Sequence, residues 1–460
     1  MFTITDLSRA IHTLVTNKQY AEALDFFKLR KVEVEIQQIS QNEFLVANML
    51  TALRGIKAFN AAHQFLNIYQ LKIDEQTPIR VLNSYGWLLY FEYKTKPAEL
   101  HIESNDKRLL ALMVLLKNTN DEYSTNLAEY IFKLVMQTQK TQAAPNWKYV
   151  AQICEHTDPA KLSTSCASIQ VEQRGQQKEM ELASPREEWY AMYSKALYEG
   201  GEYEQCTNIC HQALQIFDKM HYTNEIWFER RKAQCLTKTN KFEEAITIYQ
   251  KLIPKKSDWF ILKELCECYF KVGEYGKSLN YARKAAKAYG PINFKVELIE
   301  LLGDILQQQN EIGLANKHYR LAKFIREAEK WRIDKALADK IACTLSANYQ
   351  AADNNADTKE TLKAELIPFW SIDDHKPTKQ ILLTKTDQKA GEKQFGTITK
   401  LLAAKPAGID GFVKSDSGES VYFFVPSSVA VYNQLKVGIR IEYQLQPAPK
   451  GVKAVKIKLL

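Results

Sequence analysis

The stretch from Glu187 to about Ala328 repeats itself, and that repetition constrains the fold more than any other feature of the chain. Gly201-Glu202-Tyr203, Asn240-Lys241-Phe242, Gly273-Glu274-Tyr275 and Asn310-Glu311-Ile312 are one turn written four times, each between two apolar helical segments. The closing residue recurs at intervals of 39, 33 and 37 residues. That spacing is near the period of about 34 expected of helix–turn–helix repeats. Such a unit cannot bury its apolar face alone, so stacking supplies the core and leaves an extended concave surface suited to binding.

The remaining bounds are looser. A chain of 460 residues implies roughly three domains. Hydrophobic residues make up 45% and charged residues 25%, ordinary values for globular protein. No apolar run reaches the length of about 18 residues that a membrane-spanning helix needs. The start, Met1 to Asp6, lacks the basic and apolar regions of a secretory signal. Eight cysteines form no CxxC pair, and Cys206 and Cys210 are i,i+4 helix neighbours, which predicts reduced, packed thiols in a cytoplasm. A net charge of +8 is too mild to decide for or against nucleic acid.

Along the chain, residues 1–140 read as a helical, degenerately repetitive region. Leu7, Ile11 and Leu14 share one helical face, Asn17-Lys18-Gln19 turns, and Tyr20, Ala23, Leu24 and Phe27 resume a second. Val46, Met49, Leu50 and Leu53, then Phe59, Ala62 and Leu66, repeat the pattern, and helices follow at Val81–Phe91, Arg108–Leu116 and Leu127–Met136. Residues 141–185 lose the periodicity and read as an irregular connection bracketed by Asp158-Pro159 and Ser184-Pro185. Ser184-Pro185-Arg186-Glu187 predicts a capped helix start. Residues 186–343 form the repeat block, and 344–394, opening on a small, polar, aperiodic run, a linker and lead-in.

The repeat block resembles the tetratricopeptide-repeat (TPR) superfamily. The residues that carry the resemblance are Leu262, Leu265, Cys266, Tyr269, Gly273, Tyr275, Ser278, Ala282 and Ala285 in one copy; Phe242, Ala245, Tyr249 and Leu252 in the copy before; and Leu302, Gly303, Leu306, Ile312, Ala315, Tyr319 and Ala322 in the copy after. The resemblance implies that first helices line a partner-binding groove, here with Trp227, Arg230, Gln234, Phe260, Lys263, Phe270, Glu297, Glu300 and Asp304. Basic and aromatic groups fall towards one end and acidic ones towards the other. The alternative is a solvated helix face with incidental aromatics.

Beyond Thr361 the pattern changes to short strand-like runs: Ile381–Leu383, Gly396–Ile398, Gly411–Val413, Val421–Val425, Ile439–Tyr443 and Val452–Ile457, with Gly, Pro and Asp/Ser between them. Five or six strands in so short a span predict a small β-barrel. From Phe395 to Leu460 the order resembles a cold-shock domain, a compact OB-type barrel. It rests on Gly396-Thr-Ile-Thr-Lys-Leu401, Gly408-Ile-Asp-Gly-Phe-Val413, Tyr422-Phe-Phe-Val-Pro426 with Ser428, Gly438–Tyr443 and Lys450–Ile457. The family stacks single-stranded bases on aromatics, and Phe412 and Phe424 match two such positions. Lys400 stands where the family has Trp, Asp410 where it has Phe, and Pro426 where it has His. The net charge over 395–460 is +5, and Lys400, Lys405, Lys414 and Arg440 lie near the implied face. The alternative is a barrel with ordinary aromatics that docks protein. Lys450, Lys453, Lys456 and Lys458 form a basic stripe that reads as a solvated edge.

No GxxxxGK[ST] loop, HExxH, GxSxG or Gly-rich dinucleotide turn occurs, so neither an enzyme nor a cofactor is expected. Cys154-x-His156 with Cys166 lacks paired zinc-ligand spacing, and no metal site is expected. His63, His211 and His318 fall in repeat helices as packing or surface residues.

The sequence therefore predicts a mainly α protein: a TPR-like α-solenoid followed by a small C-terminal β-barrel of OB or cold-shock type. The function implied is that of a cytoplasmic, non-enzymatic adaptor. The solenoid recruits a protein partner and the barrel holds single-stranded RNA or DNA, RNA favoured, with no membrane involved. By analogy with systems that pair repeat proteins with helicases or nucleases, the setting is bacterial nucleic-acid surveillance or defence. The competing reading is a protein-only scaffold in which the barrel is a second docking module.

Overall fold

The computed structural model describes residues 2–96, 103–119, 121–173, 176–345, 358–371, 393–402, 408–427, 429, 431–448 and 451–460. The chain divides into two compact units, Met1–Ile372 and Asp373–Leu460. The first is helical and the second is a barrel. Among the described residues, no helix is long and apolar enough to cross a membrane.

The helical unit is a series of hairpins. Helix α1 (Ile4–Thr16) pairs with α2 (Tyr20–Arg30) and, beyond the short α3 (Ile36–Gln41), α4 (Glu43–Gly55) with α5 (Phe59–Ile68). Next come α6 (Ile79–Thr95), α7 (Glu103–Lys117), α8 (Glu122–Lys140) and α9 (Trp147–Glu155). Then α10 (Pro185–Gly200) pairs with α11 (Tyr203–Ile216), α12 (Asn224–Lys238) with α13 (Phe242–Leu252), α14 (Trp259–Lys271) with α15 (Tyr275–Lys287), and α16 (Val296–Gln308) with α17 (Ile312–Ala328).

The turns have one backbone. Gly201, Asn240, Gly273 and Asn310 are left-handed, at φ 83°, 60°, 79° and 64°. After each, an N–H donates five residues back: Glu202 to Leu197, Lys241 to Leu236, Glu274 to Tyr269 and Glu311 to Leu306, all at 2.9 Å. That bond satisfies a carbonyl orphaned by the helix end and fixes the exit of the second helix. Lys18 and Lys57 adopt the same conformation, both at φ 59°, with Gln19 bonded to Leu14 and Ala58 to Leu53 at 2.9 Å. A left-handed lysine is disfavoured by about 1–2 kcal/mol, so packing holds these two copies: Phe59 and Ala62 are buried directly after Lys57.

Side chains fill the space the turns define. Gly303 of α16 lies under Tyr319 of α17, and a Cβ there would come within 2.4 Å of the ring, so glycine lets the helices close on a fully buried tyrosine. Of the cysteines, Cys154, Cys206, Cys210, Cys235, Cys266 and Cys268 are buried. Burial pushes Cys266 up to about 12 and Cys268 up to about 11, so both stay protonated at neutral pH.

Two stretches differ from expectation. The connection 141–185, expected to be irregular, contains α9 and an antiparallel hairpin of β1 (Ser168–Gln173) and β2 (Gln176–Glu181). Helix α9 buries Tyr149, Val150, Ile153 and Cys154 at helical spacing, and the Trp189 indole N–H donates 2.9 Å to the Cys154 carbonyl, joining it to α10. The hairpin strand Gln176–Glu181 is almost wholly polar, so it carries no alternation to reveal it. Downstream, after α18 (Lys335–Leu345), residues 346–357 of the expected linker lie outside the described residues. Its 359–370 portion is helix α19 (Lys359–Trp370), which buries Leu362, Leu366 and Trp370 against α17 and α15. The expected strand Ile381–Leu383 also lies outside the described residues.

The barrel joins β3 (Lys393–Leu401), β4 (Gly408–Ser415), β5 (Ser420–Pro426), β6 (Arg440–Ala448) and β7 (Gly451–Leu459) in the closed order β3-β4-β5-β7-β6. Among the described strands, only β5 and β7 pair in parallel. The five strands thus form a small closed barrel of Greek-key order. Ile398, Val413, Val421, Phe423, Val425, Ile441 and Tyr443 fill it. A Cβ on Gly411 would sit 2.4 Å from the Lys400 carbonyl and 2.8 Å from the Phe423 ring, so only glycine fits where β4 passes over the core.

Two predictions follow from the helical unit. Gly273 is left-handed, whereas Gly276, three residues on, lies inside α15 with open space around it. Gly273→Ala therefore costs about 1 kcal/mol and lowers the thermal midpoint, while Gly276→Ala gains up to about 1 kcal/mol and raises it. The second concerns His318, whose Nδ1–H donates 2.7 Å to Leu314 O while Nε2 accepts from the Trp370 indole at 3.0 Å. Burial, with a smaller push from Arg283, lowers its pKa from 6.5 to about 4. As pH falls from 6.5 to 4 the unfolded chain takes up the proton first, so stability drops by at most about 1.4 kcal/mol per pH unit. The midpoint of thermal unfolding, followed by circular dichroism, should fall further between pH 7 and 5 in the wild type than in His318→Gln; equal falls contradict the assignment.

Candidate functional site

The outer face of the barrel is set by strand register. Lys400 on β3 stands opposite Phe412 on β4, Phe412 opposite Tyr422 on β5, and Tyr422 opposite Lys453 on β7. A bulge between Ile398 and Lys400 absorbs Thr399 and puts Lys400 in this line. The Phe412 and Tyr422 rings meet edge to face with centroids 5.8 Å apart. In β5, Val421, Phe423 and Val425 point inward, leaving Tyr422 and Phe424 outside, 37% and 40% exposed. Phe424 lies opposite Asp410, whose buried carboxylate accepts from the Tyr422 hydroxyl at 3.2 Å. Three aromatics and two lysines thus share one face with a single carboxylate beneath. Such a face offers ring planes for bases and ammonium groups for phosphates.

Of the barrel residues expected at a site, Phe412, Phe424 and Lys400 lie together here. Lys414 is one row away, opposite Thr397 and Ser420. Arg440 also faces Thr397, but its guanidinium holds Asp416 at 2.6 Å and is already engaged. Lys405 and Lys450 lie outside the described residues, as does Ser428. Tyr422 and Lys453 were not among the expected site residues. The signal for Tyr422 was its i,i+2 relation to Phe424 on a strand; for Lys453 only the β5–β7 pairing provides one.

Several residues expected to line a solenoid groove contact one another, and their charges are largely paired within the solenoid. Trp227 of α12 and Phe260 of α14 stack at 6.0 Å and 23°, and the Arg230 guanidinium lies over both rings at 5.6 and 4.5 Å. The same guanidinium forks onto Glu264, Nε at 2.9 Å, and Gln234 donates to that carboxylate at 2.8 Å. Lys263 bridges Glu267 at 2.9 Å and Glu297 at 2.8 Å. Burial opposes its charge, yet those carboxylates outweigh burial and hold its pKa above the usual value. Glu300 takes Arg326 of α17, and Asp304 takes Lys340 of α18 and the Tyr319 hydroxyl. Opposite charges expected at separate ends are therefore joined helix to helix. Phe270 packs on Tyr275 across the α14–α15 turn, apart from the Trp227–Phe260 stack.

A second aromatic cluster was not expected. Trp87 and Tyr90 of α6 meet Tyr130 of α8 at 5.3 and 5.6 Å, and Phe91 packs on Trp87 and Tyr90 within α6. Arg54 of α4 lies over Phe91, Lys94 over Tyr90, and Lys133 over Tyr130. Phe91 is 38% and Tyr130 47% exposed. The signal in the sequence was the excess of aromatics between Tyr85 and Tyr93, more than one buried helix face requires.

No family model matches the chain, and no curated protein matches it in sequence. Among solved structures, MamA from Desulfovibrio magneticus RS-1 (residues 41 to the end) is 14% identical, with 44% of this chain and 96% of that one covered and a TM-score of 0.32. A tetratricopeptide-repeat protein from Parabacteroides merdae is 13% identical, with coverages of 74% and 98% and a TM-score of 0.28. The TPR domain of P58(IPK) is 13% identical, with coverages of 74% and 97% and a TM-score of 0.25. These likenesses are too slight to carry argument. The chain's own turns and helix pairing define its class: a TPR-type α-solenoid followed by a closed five-stranded barrel.

Proposed function

We propose that this protein is a non-enzymatic adaptor whose cold-shock-like barrel binds single-stranded nucleic acid while its solenoid holds a protein partner. One observation carries the reading: Lys400, Phe412, Tyr422 and Lys453 run in a line across four strands, with Phe424 beside them. Tyr422 supplies a ring that makes up for the aromatic positions occupied by Lys400, Asp410 and Pro426. Stacking on such rings is worth roughly 1–3 kcal/mol per base and tolerates any sequence. Lysines at both ends of the line bind phosphates in a salt-dependent way.

On the solenoid, the partner surface is the run of first helices. Phe91 and Tyr130 provide exposed anchors beside the half-buried Trp87, and the Trp227–Phe260 stack, braced by Arg230, Lys263 and their carboxylates, a second contact region; Phe270 falls outside it. Working domain limits are 1–140, 141–185, 186–343, 344–394 and 395–460. The chain between the modules raises the effective concentration of each at the other's target, so two weak contacts suffice. RNA is favoured over DNA, a cytoplasmic setting fits, and a helicase or nuclease of a bacterial surveillance or defence system is the kind of partner the analogy suggests. The protein-only scaffold is favoured by the exposed Trp87–Tyr130 cluster, which suits a protein and needs no nucleic acid.

Fluorescence anisotropy of labelled single-stranded RNA and DNA 20-mers, titrated with the full-length chain at two salt concentrations, tests the barrel. Binding should weaken steeply with salt, and Phe412→Ala with Tyr422→Ala should weaken it more than about tenfold, the equivalent of losing one good stack. No binding at about 50 μM protein in low salt, where even non-specific binders register, leaves the protein-only scaffold as the better reading.

A further inference from the structure

The polar hairpin that the sequence conceals ends in a set of metal-ligand atoms. Cys166 precedes β1 and Glu181 closes β2, side by side at the hairpin's open end, where Ser168 pairs with Glu181 and Leu182 N–H donates to Ala167 O at 2.7 Å. His221, in the α11–α12 loop, meets them. One Cys166 sulfur, one Glu181 oxygen and one His221 ring nitrogen all lie within 4.8 Å of one another. His221 Nε2 stands 3.1 Å from Glu181 Oε2.

The imidazole is held from behind. Its Nδ1 donates 2.7 Å to Glu187 Oε2, and Glu187, 1% exposed, takes the His221 backbone N–H at 2.8 Å and the Asn224 amide at 2.7 Å on its other oxygen. That carboxylate takes the Nδ1 proton and turns Nε2 towards Cys166 and Glu181, where a cation would replace the Nε2–H contact to Glu181. A buried carboxylate behind an imidazole whose other nitrogen faces a thiol and a second carboxylate is the outer-shell arrangement of histidine metal ligands. A Cys–His nucleophile pair is the poorer fit, because a second carboxylate occupies the Nε2 side. Lys219, at 3.4 Å from Glu181, is an exposed counter-charge that a cation displaces.

The geometry points to a zinc-class divalent-cation site formed by Cys166, Glu181 and His221, with Glu187 as the carboxylate that positions the histidine. Mixed S, O and N donors suit zinc. A tetrahedral centre places such donors about 3.3–3.6 Å apart. The His221–Glu181 pair is already close to that separation, and Cys166, on a surface segment, closes the rest by a rotamer change. Three protein ligands leave the fourth position to water. The bound ion ties the hairpin to the α11–α12 loop, where Tyr222 and Thr223 are both left-handed, and so stiffens the junction ahead of the central repeats. Cys154 takes no part in this cluster: it is buried in α9, where burial raises its pKa well above the usual thiol value.

The full-length chain, stripped with a chelator, is titrated with zinc chloride by calorimetry and with cobalt chloride by absorbance. One site per chain is expected, with a thiolate-to-cobalt charge-transfer band. Cys166→Ser should abolish that band, and Cys166→Ser and Glu181→Gln should each weaken zinc binding by at least about tenfold. Both substitutions lie at the surface, and circular dichroism checks that the helices are intact. Absence of saturable binding, a cobalt spectrum without the thiolate band, or either variant binding zinc as tightly as the wild type overturns the site.

Discussion

The helical unit depends on one backbone device, the left-handed residue that closes each hairpin and returns an N–H five residues back into the first helix. Fixing that dihedral fixes the exit of the second helix, and the rest of the repeat follows. Gly303 can lie under Tyr319 only because the Asn310 turn brings α17 back at close range. The buried tyrosines and alanines then fill what is left. The device is tolerant: glycine, asparagine and lysine all occupy the position, and where lysine does, neighbouring apolar contacts supply the energy that glycine would have saved.

Charge plays a different part on the first-helix face. Arg230–Glu264, Lys263–Glu297, Glu300–Arg326 and Asp304–Lys340 link successive helices in register. Partly exposed pairs of this kind are individually weak, but a row of them links neighbouring helices and neutralises charge on that face. Beside this row stand aromatics with cations above them: Phe91 and Tyr130, which are exposed, and the half-buried Trp227–Phe260 stack.

The sequence disclosed much of this because repeats and strand alternation are local signals. The turns at Gly201, Asn240, Gly273 and Asn310, the capped start at Ser184, and the strands from Gly396 onward were legible one by one. The Lys57 turn was not, since lysine has no intrinsic preference for the left-handed region. The β1–β2 hairpin escaped because β2 is almost wholly polar and β1 alternates only at Ile169 and Val171, too short a trace to stand out. Helix α19 was hidden in a stretch that opens as a linker, although Leu362, Leu366 and Trp370 carry its buried face. Sites were harder still. Phe412 and Phe424 could be picked from their strands, but the line through Lys400, Tyr422 and Lys453 exists only once the barrel closes and β5 meets β7. Likewise Cys166 and Glu181 meet through the β1–β2 pairing, and His221 reaches them by tertiary packing alone.

The barrel's aromatic line is the claim on which the adaptor reading rests. Its most direct test is photocrosslinking of a 4-thiouridine-containing single-stranded RNA to the full-length protein, followed by mass-spectrometric mapping of the joined peptides. The account predicts crosslinks concentrated in the β4 and β5 segments that carry Phe412, Tyr422 and Phe424. Crosslinks confined to the helical unit, with none in those two strands, would contradict it.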